Sequence, residues 1–215
     1  MDINFKLFGK HINITSEQLE IDSKALHAYE TQNYQEAVNL YSQLIEMSPE
    51  AHQYYQFRGT AYEDMGNDSL AKKDFEKAVE LCPSNSTALY RLGMVYQRKG
   101  DLKNAILYLK QAYNHNPTYQ DLMGNVYNNI LFVHKRVIAA NLGNFLTQVG
   151  DSAEGLQYID EVINNCPDYS YPYYVKAITI ANQGNLHEAS KYALKAANLG
   201  NNQAAMLFMQ IRQML

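Results

Sequence analysis

Residues 52–85, HQYYQFRGTAYEDMGNDSLAKKDFEKAVELCPSN, are followed without a gap by residues 86–119, STALYRLGMVYQRKGDLKNAILYLKQAYNHNPTY. The second stretch restates the first. Gly59 maps onto Gly93, Tyr62 onto Tyr96, Gly66 onto Gly100, Ala71 onto Ala105, Ala78 onto Ala112 and Pro83 onto Pro117. A fixed period of 34 residues is the signature of a stacked repeat architecture and decides the fold before any other feature.

Each unit contains two helical stripes. Apolar residues recur at three- and four-residue spacing, as at Tyr55, Gly59 and Tyr62. A Gly-Asn or Gly-Asp pair (66-67, 100-101, 150-151, 184-185) then supplies a turn where positive φ is easy. A second stripe follows through Ala71, Phe75 and Ala78, and proline ends it. Gly59 opposite alanines allows two antiparallel helices to approach closely. One such pair cannot bury its own apolar face, so pairs must stack.

Working outward, residues 18–51 carry Ala25, Ala28, Ala37, Tyr41 and Pro49 in the same phase, with Gln32-Asn33 in place of the glycine turn. Two further copies, 136–169 and 170–203, carry Gly143, Leu146, Gly150, Gly155, Ile159 and Pro167, then Ala177, Ile180, Gly184 and Ala189. Gly143 lies 50 residues after Gly93, so 16 residues, 120–135, are inserted. Leu122, Val126, Ile130, Val133 and Val137 continue at helical spacing into Leu142 and Phe145, and Thr118 with Asp121 has capping-box spacing. This predicts a helix over 118–149, either continuous or joined sharply near His134–Arg136. If continuous, 16 extra residues add about 24 Å and about 160° beyond whole turns, which would put the later units on a nearly opposite face and divide the array into two blocks.

Before the repeats, in residues 1–17, Ile3, Phe5 and Leu7 alternate with polar residues, as do Ile12 and Ile14. The pattern fits either a hairpin turning at Gly9-Lys10, with Leu7 opposite Ile12 and Phe5 opposite Ile14, or an extended arm. Thr15 with Gln18 marks the first helix start. After the repeats, 204–215 reads as a last helix in which Met206, Leu207, Phe208, Met209, Ile211, Met214 and Leu215 leave little polar surface. The expected fold is therefore all-α: a superhelix of stacked helix-turn-helix repeats, about five of them plus a C-terminal helix, behind a small N-terminal β-hairpin or arm.

Composition narrows the function classes. A net charge of −4 without any basic run argues against phosphate-driven nucleic-acid binding and against anionic membrane surfaces. The start has no signal-peptide pattern and no stretch reaches 18 apolar residues, which points to a soluble, cytoplasmic protein. Cys82 and Cys166 each precede a proline at a unit end and read as small hydrophobes. The six histidines show no i, i+4 pairing and no cysteine at ligand spacing, so no metal is expected. Gly150–Gly155 is G-x-S-x-x-G, which lacks the strand and spacing of a nucleophile elbow. No phosphate-binding glycine loop is present, so neither a catalytic residue nor a cofactor is assigned.

The spacing and residue types resemble the tetratricopeptide (TPR) repeat, most closely in the second and third units. The resemblance implies a non-enzymatic scaffold whose first helices line a concave groove for a partner's peptide or helix. Carried onto this chain, the groove residues are Tyr29, Gln56, Thr60, Glu63, Tyr90, Arg91, Met94 and Arg98, then Tyr171 and Tyr174. Chaperone-binding members clamp a peptide carboxylate with Lys, Asn and Arg; the matching positions here are Asp22, Leu26, Phe57, Thr87 and Arg91. Only Arg91 fits, so that clamp is not expected. The competing reading is self-assembly, as a homodimer through the apolar C-terminal and long helices.

Overall fold

A computed structural model describes residues 3–7, 10–116 and 134–215. Two strands, β1 (Ile3–Leu7) and β2 (Lys10–Ile14), pair antiparallel, with Ile3 opposite Ile14 and Phe5 opposite Ile12. Leu7 pairs with Lys10, so the register is two residues away from that of a Gly9-Lys10 turn; the alternation is kept because the side-chain period is two.

Eleven helices follow among the described residues. In order they are α1 (Ser16–Glu30), α2 (Tyr34–Met47), α3 (His52–Asp64), α4 (Asp68–Leu81), α5 (Ser86–Arg98) and α6 (Leu102–His115). Then come α7 (Lys135–Gln148), α8 (Ser152–Asn165), α9 (Ser170–Asn182), α10 (Leu186–Asn198) and α11 (Asn202–Met214). They belong to two compact units, Met1–Val95 and Tyr96–Leu215.

The first helix starts as its sequence predicts. Thr15 Oγ1 accepts from the Gln18 N–H at 3.1 Å, and Gln18 Oε1 accepts from the Thr15 N–H at 2.9 Å. The turns inside the pairs share one construction. The Gly66 N–H bonds back to Glu63 and the Asn67 N–H to Tyr62, closing α3 on a left-handed glycine with φ 76°. Asn67 then caps α4 by accepting from the Leu70 N–H. Asp101, Asp151 and Asn185 repeat this cap at α6, α8 and α10. The second residue of each glycine pair therefore starts the next helix, a role that turn chemistry alone did not assign.

Gln32 holds the same left-handed conformation, φ 62°, without being glycine. A side chain there costs roughly 1 kcal/mol. Gln32→Gly is expected to raise the melting temperature by about 2–4 °C per kcal/mol recovered. An unchanged or lower melting temperature would show that the Gln32 side chain contributes stability that offsets the strain.

In the first unit α1 packs on α2, α2 on α3 and α3 on α4. Ala25, Ala37, Tyr41, Phe57, Ala61, Ala71, Phe75 and Ala78 are fully buried between them. Tyr41 and Phe57 bring their ring centroids to 5.5 Å, joining the first pair to the second. A Cβ on Gly59 would lie 2.7 Å from the Phe75 ring, so the glycine sets the separation of α3 and α4. Asn85 caps α5 through the Ala88 N–H and lies 3.1 Å from His52 Nδ1 at the start of α3. Burial pushes the pKa of His52 down.

In the second unit α6 packs on α7, α7 on α8, α8 on α9, α9 on α10 and α10 on α11. This corrects the expectation of a continuous helix. His134 is extended, with φ −74° and ψ 147°, and α7 begins only at Lys135. A helix cannot run through that residue into Val149. Residues 117–133, including the Thr118 and Asp121 cap, lie outside the described residues. Helix α7 takes the place next to α6. Tyr113 of α6 donates to Glu161 of α8 at 2.6 Å, Lys110 pairs with Glu154 at 2.7 Å, and Lys135 Nζ sits 4.2 Å above the Tyr113 ring. The packing order therefore resumes across the insertion.

Candidate functional site

The candidate residues sit on the first helices of the pairs: α1, α3 and α5 in the first unit, α7 and α9 in the second. In the first unit the structure brings them together chiefly with one another. Gln56 and Thr60 are buried, and the Thr60 hydroxyl donates to the Gln56 carbonyl at 2.9 Å. Their position on the inner stripe was legible, but they lie beneath the surface and a partner does not reach them. Tyr29 is also buried, and its hydroxyl donates to Asp64 Oδ2. Burial, with the Asp64 hydrogen bond, drives the pKa of Tyr29 far up, so it remains a neutral donor.

Glu63 and Arg91 form an ion pair at 2.5 Å, with both side chains largely covered. The positive charge at Arg91, expected to face a ligand, is thus met from within the fold. This also bears on the carboxylate clamp, because the one matching residue already holds a carboxylate. Tyr90 and Met94 are half-buried beside it on α5. Arg98, on the last turn of α5 and in the second unit, is exposed. Tyr54, one turn before Arg58 on α3, has its pKa pushed up to about 12, by burial first and the Asp22 charge second.

The second unit presents a different surface. Asn144 of α7 donates from Nδ2 to the Tyr171 hydroxyl of α9 at 2.9 Å. Gln148, one turn further along α7, donates to Asn144 Oδ1 at 3.0 Å. The Tyr171 hydroxyl lies 3.5 Å from Asn141 Oδ1, and Asn141 donates to the Val137 carbonyl at 2.9 Å. The result is a chain of amides and one phenol running across two helices. Burial raises the pKa of Tyr171 to about 12, so the network carries no charge at physiological pH. Tyr174, one turn after Tyr171, is half-buried against Tyr173, Ala196 and Ala204. Asn144 falls at a groove position that the repeat alignment assigns, whereas Asn141 and Gln148 were not singled out from the sequence; their three- and four-residue spacing from Asn144 on α7 was the available signal.

Among the described residues no three His, Cys, Asp or Glu side chains converge as a metal site. No described helix is long and apolar enough to cross a membrane. Cys82 and Cys166 are half-buried and end α4 and α8.

Comparison with known proteins follows the same lines. The tetratricopeptide repeat family model matches residues 52–85 and 86–119, the two stretches whose correspondence revealed the period. A protein SGT1 homolog of Oryza sativa subsp. japonica is 33% identical over 100 residues, covering 46% of this chain and 27% of that protein. Hsp70-Hsp90 organizing protein 2 of Arabidopsis thaliana is 29% identical over 114 residues, covering 53% of this chain and 19% of that protein. The chain thus spans only about a fifth to a quarter of the length of these relatives. Among solved structures, pilF of Pseudomonas aeruginosa superposes with a TM-score of 0.73 at 14% identity, over 92% of this chain and 83% of that one. YrrB, a TPR protein with an unusual peptide-binding site, gives 0.68 at 21% identity, over 91% and 94%. At such identities the structures share the fold alone. The 34-residue period, the glycine-turned helix pairs and the family match converge on one reading: residues 52–119 are two tetratricopeptide repeats, and the helix pairs on either side repeat their construction.

Proposed function

We propose that the chain is a non-enzymatic, cytoplasmic interaction scaffold that holds an extended peptide of a partner protein against α7 and α9. The observation that carries this reading is the uncharged network of Asn141, Asn144, Gln148 and Tyr171. A side-chain amide offers two N–H donors and an acceptor oxygen, which matches the donor and acceptor of a peptide backbone. Asn144 commits one N–H to Tyr171 and its oxygen to Gln148, and this holds its second N–H in place. Tyr174 and Ile178 supply apolar surface one and two turns along α9. The face of the first unit serves a partner less well, since Glu63, Asp64, Arg91 and Tyr29 are occupied by each other. The repeat proteins to which the chain is similar, YrrB among them by its peptide-binding site, support the general class.

Selection from a random-peptide display library tests the assignment. Peptides selected on the full chain should lose about tenfold in affinity, or ~1.4 kcal/mol, for Asn144→Ala and for Tyr174→Ala. Their affinity should change little with added salt, because no ion pair contributes. Peptides that bind both variants as well as the parent, or whose binding collapses in salt, would move the site to another face.

A further inference from the structure

The last helix occupies a definite place in the repeat pattern. Four earlier first helices bury a pair of residues seven apart: Tyr54 and Ala61, Ala88 and Val95, Ile138 and Phe145, Pro172 and Thr179. In α11 the corresponding pair is Ala204 and Ile211, reached 32 residues after the last one instead of 34. Ile211, Leu207 and Phe208 pack against Ala177, Ile180, Ala189 and Ala193 of α9 and α10. Helix α11 is therefore the first helix of a sixth pair, and among the described residues no second helix covers it.

The uncovered side differs from its predecessors. Five residues after the first buried member of each pair stands the residue that faces the second helix: Gly59, Gly93, Gly143 and Ala177. These small residues admit close contact; a Cβ on Gly143 would lie 2.8 Å from the Gly155 carbonyl oxygen. In α11 that place belongs to Met209, which is 61% exposed. A methionine there keeps out a helix packed as intimately as α4 on α3 or α8 on α7. What it fits is a looser helix-to-helix contact with flexible apolar side chains.

We infer that α11 is a homodimer interface, in which Met209 packs against Met209 of a second copy running antiparallel across a two-fold axis, with Met206 beside it. Charge favours this occupant. The helix contains no Asp or Glu, and Arg212, its one charged side chain, lies 5.9 Å from the Phe208 ring centroid of its own helix. An acidic partner helix would have one cation to meet, whereas a second copy needs none. In an antiparallel pair centred on Met209, each Arg212 falls opposite the other copy's Met206, and the two arginines stand about 9 Å apart along the axis. Self-complementarity of this kind is what an isologous contact requires.

The area agrees with a weak dimer. Met206, Met209, Met214 and Leu215 are 62%, 61%, 70% and 56% exposed. Together they present roughly 400 Å² of apolar side chain, about half of the ~800 Å² that each partner brings to a standard interface. Gln210 and Gln213, also exposed, stand between the methionines on the same face, and Arg212 borders it. The contact is separate from the α7 and α9 face and does not rest on the peptide reading.

Sedimentation equilibrium of the full chain from about 1 µM to about 1 mM, the span in which weak interfaces dissociate, tests the inference. The expected result is a shift from the monomer mass to twice that mass with rising concentration. Met209→Glu should raise the dimer dissociation constant at least about 30-fold while leaving the melting temperature unchanged, because the side chain is exposed. With Cys82→Ser and Cys166→Ser in place, Met209→Cys should oxidise to a covalent dimer, since the two-fold axis sets residue 209 against itself. A parent chain that stays monomeric throughout, a Met209→Glu variant that dimerises as well as the parent, or failure of the cross-link would each overturn the proposal.

Discussion

Gly155→Ala should lower the melting temperature by about 4–8 °C, an effect out of proportion to one methyl group. The new Cβ would lie 2.7 Å from the Gly143 carbonyl oxygen, 2.7 Å from Thr147 Cγ2 and 3.1 Å from the Thr147 backbone nitrogen. Two of these three neighbours are helical backbone, which cannot turn aside as a side chain can. The helices α7 and α8 must separate, and Ile159 and Val162, both fully buried, lose packing as they do. Overpacking of this kind costs about 1–3 kcal/mol and sometimes more. Helix propensity works the other way, since alanine is favoured over glycine by about 1 kcal/mol. The clash wins because it moves a whole helix while propensity acts on one residue. Urea denaturation checks the sign: a midpoint at or above that of the parent would mean that α7 and α8 are not in backbone contact.

The second large effect is expected at Arg58. Its Nε and Nη2 donate to the two oxygens of Asp74 at 2.8 Å each, and Nη1 donates to Ser42 at 3.0 Å. Its guanidinium stands 5.8 Å and 6.0 Å from the Tyr55 and Tyr62 ring centroids. The Asp74 hydrogen bond raises the pKa of Arg58 further, so the charge is permanent. Asp74 is almost completely buried, and it sits on α4 directly beneath Gly59. Arg58→Met keeps the side-chain stem but strands a buried carboxylate, which should cost about 3–5 kcal/mol. The double change Arg58→Met with Asp74→Leu should recover most of that loss, because replacing both members of a buried pair by apolar residues is often neutral. Chemical denaturation of the three variants decides the matter. If the double variant is no more stable than Arg58→Met, the pair contributes through its geometry toward Ser42, Tyr55 and Tyr62 and not through mutual charge compensation.

The repeat fold was legible because every unit writes the same local physics. Gly66, Gly100, Gly150 and Gly184 announce a left-handed residue, while the cap made by the Asn or Asp after each emerged only in the structure. The break before α7 was legible only as one of two alternatives, a sharp join near His134–Arg136 beside a continuous helix. Val126, Ile130, Val133 and Val137 keep helical spacing, but periodicity cannot tell one helix from two collinear patterns, and His134 is neither proline nor glycine. His134 is extended and α7 packs on α6, a tertiary contact with no local signal. The strand register failed more mildly. Alternation specifies which residues share a side, while the register depends on where the turn falls, and the strand pairs are offset by two residues from those expected.

At the candidate site the positions were legible and the pairings were not. Glu63 and Arg91 are 28 residues apart, and Tyr29 and Asp64 are 35 apart. Both separations lie close to one period, which is how neighbouring first helices meet. Opposite charges one period apart are therefore the sequence signal that a groove has neutralised itself. Read that way, the first unit's inner face is a structural seam, which is why the proposed peptide site lies at α7 and α9.

That assignment is also where the account is tested most directly. Backbone amide shifts of the full chain, followed by NMR during titration with a peptide selected from the display library, report which helices a bound segment touches. The account predicts perturbations concentrated at Asn141–Gln148 and Tyr171–Ile178, saturating together with one dissociation constant. Perturbations confined to α8 and α10, or to α1 and α3, would contradict it.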